Sequence, residues 1–175
     1  MNEKNAVRQY QGRRAKSAGE NFEKLISDSC DYYRLKKQGE IAKTPEPMRP
    51  TKSLGNGKFI AFYEKQAQPD YKGTLSGGRT VIFEAKHTDG DRIEQSRVTN
   101  EQAAVLERYS QMGAICFILV SMGMHSFYRV PWRVWAEMKD LYGRKYVRAE
   151  ELNQFEVGFQ YGILHFLDGL ENIKI

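Results

Sequence analysis

Residues 70–86 read Asp-Tyr-Lys-Gly-Thr-Leu-Ser-Gly-Gly-Arg-Thr-Val-Ile-Phe-Glu-Ala-Lys. Ser76-Gly77-Gly78 separates two strand-like runs, which is the pattern of a β-hairpin. Side chains alternate along a strand, so Glu84 and Lys86 share one face and Ala85 takes the other. Asp70 opens the partner strand, and an antiparallel return could bring Asp70 and Glu84 to one ion. Two hard carboxylate oxygens suit Mg²⁺, which keeps several waters and takes phosphate oxygens as further ligands. Lys86 beside them could steady a water or hydroxide and offset charge on a phosphate. The pattern points to metal-assisted phosphodiester hydrolysis. The bare triplet also describes a charged edge strand. Against that, Glu84 follows the apolar run Val81-Ile82-Phe83, and a carboxylate and an ammonium at the end of a buried strand are costly unless paired or metal-bound.

Downstream, residues 87–98 are polar and read as a loop. Thr99 is placed to cap a helix over 100–111, with Ala103, Leu106 and Tyr109 on one side and Gly113 as its stop. Residues 114–120, Ala-Ile-Cys-Phe-Ile-Leu-Val, are continuously apolar, as in a strand buried on both faces. Phe127–Val130 suggests another strand, Trp132–Leu141 a short helix, and Arg148–Leu152 a helical turn.

Upstream, Phe22, Leu25, Ile26, Cys30 and Tyr33 fall at helical spacing and predict a helix over 18–37. Ser17 is its expected N-cap, with Glu20 three residues on, and Gly39 its expected end. Ile41–Thr44 reads as extended. Residues 45–58, PEPMRPTKSLGNGK, hold Pro45, Pro47 and Pro50 and resist both helix and central strand. They fit either a linker or a projecting loop that binds through Met48, Leu54, Arg49, Lys52 and Lys58. Phe59–Lys65 resumes as an extended apolar stretch.

The chain has 175 residues, 41 % apolar and 28 % charged, with a net charge of +5. That balance fits one globular domain and argues against wholesale disorder. No apolar run approaches the ~18–20 residues of a membrane span, and residues 1–20 hold no signal-peptide core, so a cytoplasmic protein is expected. Two cysteines, Cys30 and Cys116, make no disulfide framework or zinc site and are expected to be inert core thiols. Residues 1–16 set Lys4, Arg8, Arg13, Arg14 and Lys16 against Glu3 alone. Such a basic arm attracts phosphates, and its binding weakens steeply with salt. Trp132, Trp135 and the tyrosines are expected in the core or at a dimer interface rather than stacked on bases.

The order of these elements resembles the PD-(D/E)xK nuclease superfamily. Within it the chain is most similar to the RecU group of Holliday-junction resolvases from Gram-positive bacteria and their phages, over roughly residues 8–160. The likeness lies in the Gly/Arg-rich start before a glutamate-bearing helix, Asp70-Tyr71-Lys72-Gly73, and Phe83-Glu84-Ala85-Lys86. It extends to Gln102, the strand Gly113-Ala-Ile-Cys-Phe-Ile-Leu119 and, more weakly, Ser126-Phe-Tyr-Arg-Val130. The resemblance implies an α/β fold, restriction-endonuclease-like, with a mixed central sheet flanked by helices over 17–175. A basic flexible arm (1–16) precedes it, and a stalk-like insertion sits at 45–58.

The resemblance also implies Asp70 and Glu84 as metal ligands and Lys86 as the catalytic lysine. Glu23 is the helical glutamate that assists the metal, with Glu20 as its rival, and Gln102 lies at the site. Mg²⁺ is the implied cofactor, with Mn²⁺ as a substitute. Arg8, Arg13, Arg14, Lys16, Arg49, Lys52, Lys58 and Lys72 are the expected DNA contacts. Branched DNA, a second copy of the chain, and recombinase or branch-migration proteins are the implied partners, near the nucleoid. Two alternatives stay open: a related duplex- or flap-cutting nuclease, and a non-catalytic junction-binding protein. His87 is expected to be a surface histidine, with contact to phosphate as the alternative, and His125 and His165 are expected to be structural or surface residues.

Overall fold

The computed structural model describes residues 3–63 and 68–170, with the backbone alone for residues 3–11 and 13–15. Its centre is a five-stranded mixed sheet. The first helix, α1, runs from Glu3 to Leu35. Ser17 is therefore an interior position and not the expected cap. Ala, Arg, Gln and Lys dominate residues 4–16, and their helix propensity carries the helix back past Ser17. The side chains of Arg8, Arg13 and Arg14 lie outside the described residues. α1 ends where Lys37 takes a left-handed φ of 58°. The Lys37 amide donates to the Arg34 carbonyl and the Gln38 amide to that of Tyr33, a Schellman ending. Gly39, expected as the terminator, instead opens β1 (Gly39–Lys43).

The segment read as a linker or loop is a hairpin, β2 (Met48–Gly55) and β3 (Lys58–Tyr63), exposed at every residue. Its pairing shifts register between Pro50 and Lys52. A two-stranded ribbon with such a bulge tolerates a proline that a central strand would not. β4 (Tyr71–Leu75) and β5 (Thr80–Thr88) form the expected hairpin, with Tyr71 opposite Phe83 and Lys72 opposite Ile82. Gly77 and Gly78 turn it with φ of 95° and 90°, which glycine adopts without a Cβ clash. The loop expected over 87–98 is shorter than that. His87 and Thr88 extend β5, then β6 (Arg92–Glu94) and a 3-10 turn (Gln95–Arg97) follow.

α2 (Asn100–Gln111) starts from the capping box of Thr99 and Gln102. β7 (Ile115–Met122) is buried throughout, and β8 (Ser126–Pro131) follows. The single helix expected over 132–141 is two, α3 (Trp132–Ala136) and α4 (Met138–Tyr142), meeting at Glu137. β9 (Tyr146–Arg148) pairs with β6 in a small separate sheet.

In the main sheet the order is β1-β4-β5-β7-β8. Only the β5–β7 pairing is parallel, since α2 carries the chain back to the starting edge. The sheet separates two cores. On one face Phe22, Ile26 and Tyr33 of α1 pack with Val81, Phe83, Phe117 and the C-terminal Phe166. On the other, Leu106 of α2 and Trp132, Trp135 and Met138 pack on Ile82, Ile118 and Val120. Each such large side chain contributes about 1.5–3 kcal/mol by leaving water. Trp132 and Trp135 are thus core residues. Cys30 and Cys116 are buried, which pushes both thiols up to about 12 and leaves them unreactive. No helix among the described residues is long and apolar enough to cross a membrane.

Candidate active site

Alternation along β5 sends Val81, Phe83 and Ala85 towards α1, and Ile82, Glu84 and Lys86 towards the face that α2 covers. Glu84 lies one residue beyond the hydrophobic run and is 0 % exposed. Asp70, just ahead of β4, accepts the Ala85 amide at 2.9 Å through Oδ2. Lys86 Nζ lies 3.0 Å from Glu84 Oε2 and 3.6 Å from Asp70 Oδ2. The hairpin therefore joins Asp70, Glu84 and Lys86 into one cluster.

From above, Gln102 Nε2 donates to Glu84 Oε2 at 2.6 Å, while Gln102 Oε1 accepts the Thr99 amide at 3.1 Å. One residue starts the helix and holds the buried carboxylate. Burial, and then the charge of Asp70, push the Glu84 carboxyl up to about 8, with Lys86 pulling the other way. Glu84 Oε1 is buried and has no partner among the described residues. An unpaired buried acceptor costs about 1–3 kcal/mol. That orphaned oxygen, together with the partly exposed Asp70, is a hard-oxygen donor set that fits a divalent cation. No group of three His, Cys, Asp or Glu side chains converges for a metal among the described residues. Waters and phosphate oxygens would complete the shell, as Mg²⁺ prefers.

A cleft of about 820 Å³ opens here, with Glu23, Asp70, Lys86, His87, Asp89 and Arg97 in its wall. Glu23 reaches it from α1, but its carboxylate is held by Lys43. Glu20 is not part of the wall and faces Lys16 at 3.9 Å. His87 is not at the surface as expected. Its side chain is 6 % exposed because β5 continues alongside β7, and its ring contacts Ser121 Oγ at 3.1 Å and Asp89 Oδ1 at 3.2 Å.

The model of the family described as recombination protein U matches residues 17–174. The chain belongs to the RecU family. A relative named Holliday junction resolvase RecU, from Streptococcus gordonii, is 35 % identical over 111 residues, 58 % of this chain and 54 % of that protein. Its namesake from Latilactobacillus sakei is 29 % identical over 114 residues, 58 % and 51 % of the two chains. The chain spans about half the length of the curated relatives it matches. Archaeoglobus fulgidus Hjc, a Holliday junction resolvase of known structure, is 12 % identical with a TM-score of 0.43. That likeness covers 67 % of this chain and 75 % of that one, a distance at which it carries no argument.

Within this RecU-family chain the structure gathers Asp70, Glu84, Lys86 and Gln102 and sets Glu23 in the same cleft. The expected DNA contacts are scattered: Lys16 is exposed on α1, Lys72 on β4, and Arg49, Lys52 and Lys58 on the β2–β3 hairpin. Arg97 and Asp89 carry no signal in the sequence, since neither belongs to a motif; Asp89 is placed by the end of β5 and Arg97 by the turn that follows β6.

Proposed function

We propose that this chain is a divalent-metal-dependent endonuclease that cuts four-way DNA junctions. The observation that carries the reading is the buried Glu84 with one oxygen free, in the middle of β5 and flanked by Asp70 and Lys86. Membership of the RecU family supports it, as do the relatives' names. Asp70 and Glu84 would hold the cation, with Glu23 assisting from across the cleft. A bound divalent ion supplies positive charge to a phosphate and acidifies water in contact with it. Lys86 keeps its ammonium fixed between the two carboxylates, where it offsets charge building on the phosphate without having to reorganise. Gln102 holds Glu84 Oε2 and so leaves Oε1 to face the cation. Two symmetric nicks call for two equivalent sites, which a C₂ homodimer supplies. The exposed β2–β3 hairpin, with Arg49, Lys52 and Lys58, is the element that meets the branched DNA.

The test is a labelled four-way junction and a linear duplex of the same arms, each with Mg²⁺ and with EDTA. Paired Mg²⁺-dependent nicks in the junction alone are expected. Asp70→Ala should lose cleavage and keep junction binding. Equal cutting of both substrates would instead mean a duplex or flap nuclease. Binding without cutting in Mg²⁺ or Mn²⁺ would mean a non-catalytic junction protein.

A further inference from the structure

The cleft wall presents Glu23, Asp70 and Asp89, with Glu84 buried behind it. A DNA strand brings further negative charge into this space. Among the described residues its wall has two cations, Lys86 and Arg97, and they are not equivalent. Lys86 lies within ion-pair distance of both Glu84 and Asp70. Arg97 has no carboxylate within that distance among the described residues. Its one hydrogen bond there runs from Nη2 to the His87 carbonyl at 3.0 Å. That bond ties the guanidinium to the residue directly after Lys86. The remaining N–H groups of this exposed side chain are left to face the cleft, and their fork suits phosphate oxygens.

We propose that Arg97 is a phosphate-positioning residue, gripping a backbone phosphate beside the scissile one in the strand that crosses Asp70, Glu84 and Lys86. This rests on the nuclease reading above. The grip is independent of base sequence, because phosphate contacts set register and carry no sequence information. The anchor on the His87 carbonyl matters as much as the charge. It fixes the guanidinium relative to β5, so a strand held by Arg97 arrives in register with the carboxylates.

The experiment measures full-length wild type, Arg97→Gln and Arg97→Lys on a four-way junction and a duplex across a NaCl series in EDTA. Arg97→Gln should weaken binding to both DNAs about tenfold and reduce the slope of log K against log salt by about one. Arg97→Lys should keep the wild-type slope. Junctions carrying a single neutral methylphosphonate give a second readout. One position flanking the cut should weaken wild type as much as Arg97→Gln does, and should weaken Arg97→Gln no further. An unchanged slope in folded Arg97→Gln, or additive losses at every methylphosphonate, overturns the proposal. Should Arg97→Gln not fold, Arg97→Lys takes its place: a slope reduced by one there equally overturns it. With Mg²⁺, the Arg97→Gln defect should fall on KM rather than kcat. If wild type binds as described but never cuts, the nuclease reading fails, and with it the placing of Arg97 beside a scissile phosphate, while Arg97 stands as a backbone-phosphate contact. If wild type cuts and the slope is unmoved, the reverse holds.

Discussion

Gln102 Nε2 lies 2.6 Å from Glu84 Oε2, and the same side chain closes the capping box with Thr99. The start of α2 and the buried carboxylate of β5 are therefore one unit. The side chain of Lys86 completes it through the same oxygen, Glu84 Oε2.

Gln102→Glu separates the two roles. A glutamate at this position still accepts the Thr99 amide, so the cap survives. It has no N–H for Glu84 and places a like charge against it. Cleavage should fall at least tenfold, and the Glu84 carboxyl should hold its proton to a higher pH. Gln102→Ala loses both roles and should also cost about 1–2 kcal/mol of stability. Unfolding curves beside cleavage rates check both, and equal activity in wild type and Gln102→Glu would refute the linkage.

The raised carboxyl of Glu84 sets a pH dependence with a definite sign. The folded chain holds that proton up to about 8, while the unfolded chain releases it near 4.5. Between these values the native state binds more protons, so the metal-free protein loses stability as pH rises from about 4.5 to about 8, then levels off. The full change is on the order of 3–5 kcal/mol. Urea unfolding in EDTA at pH 5 and pH 8.5 measures it, and Glu84→Gln should flatten the difference.

Metal binding must displace that same proton, so cation affinity should rise across the same window. Mg²⁺ at about 100 times its dissociation constant should stabilise wild type by roughly 2.7 kcal/mol, and a given concentration should act more strongly at pH 8.5 than at pH 6. Asp70→Ala and Glu84→Gln should show little of this shift in thermal melts. A shift of full size in both would place the cation elsewhere.

The β2–β3 hairpin is exposed along its whole length, so the fold should not depend on it. Replacing residues 48–63 with a short Gly-Ser linker should change stability by no more than about 1 kcal/mol, a shift of roughly 2–4 °C in Tm. The loss should appear as weaker preference for junction over duplex in competition binding. Unchanged preference would remove the hairpin from substrate choice.

Gly73 is a point where the sheet leaves no room. A Cβ there would lie 2.1 Å from the Glu40 carbonyl oxygen and 2.5 Å from Ile41 Cα. Gly73→Ala should push β1 away from β4 and cost about 1–3 kcal/mol. The drop should be visible by urea denaturation, and a neutral result would mean that β1 is loosely held.

The sequence by itself determined the elements whose signals are local. The Ser76-Gly77-Gly78 turn, the alternation that puts Glu84 and Lys86 on one face, the cap at Thr99 and the apolar run of β7 all depend on neighbours a few residues away. Those signals were enough to bring forward Asp70, Glu84 and Lys86 before any contact was known, while Gln102 came in only through the family resemblance. They failed where a weak local cue competed with others. Ser17 lost to the strong helix formers that precede it, and three prolines hid a hairpin that bulges around one of them. Only the tertiary structure decided how deep Glu84 lies, which of its oxygens is left without a partner, and that Lys43 holds Glu23. The same is true of His87 packing on Ser121 and Arg97 reaching the His87 carbonyl. Each of these depends on what packs over a strand from 10 to 34 residues away in the chain. Burial, and with it the proton affinity of Glu84, belongs to that packing rather than to the spacing of the residues.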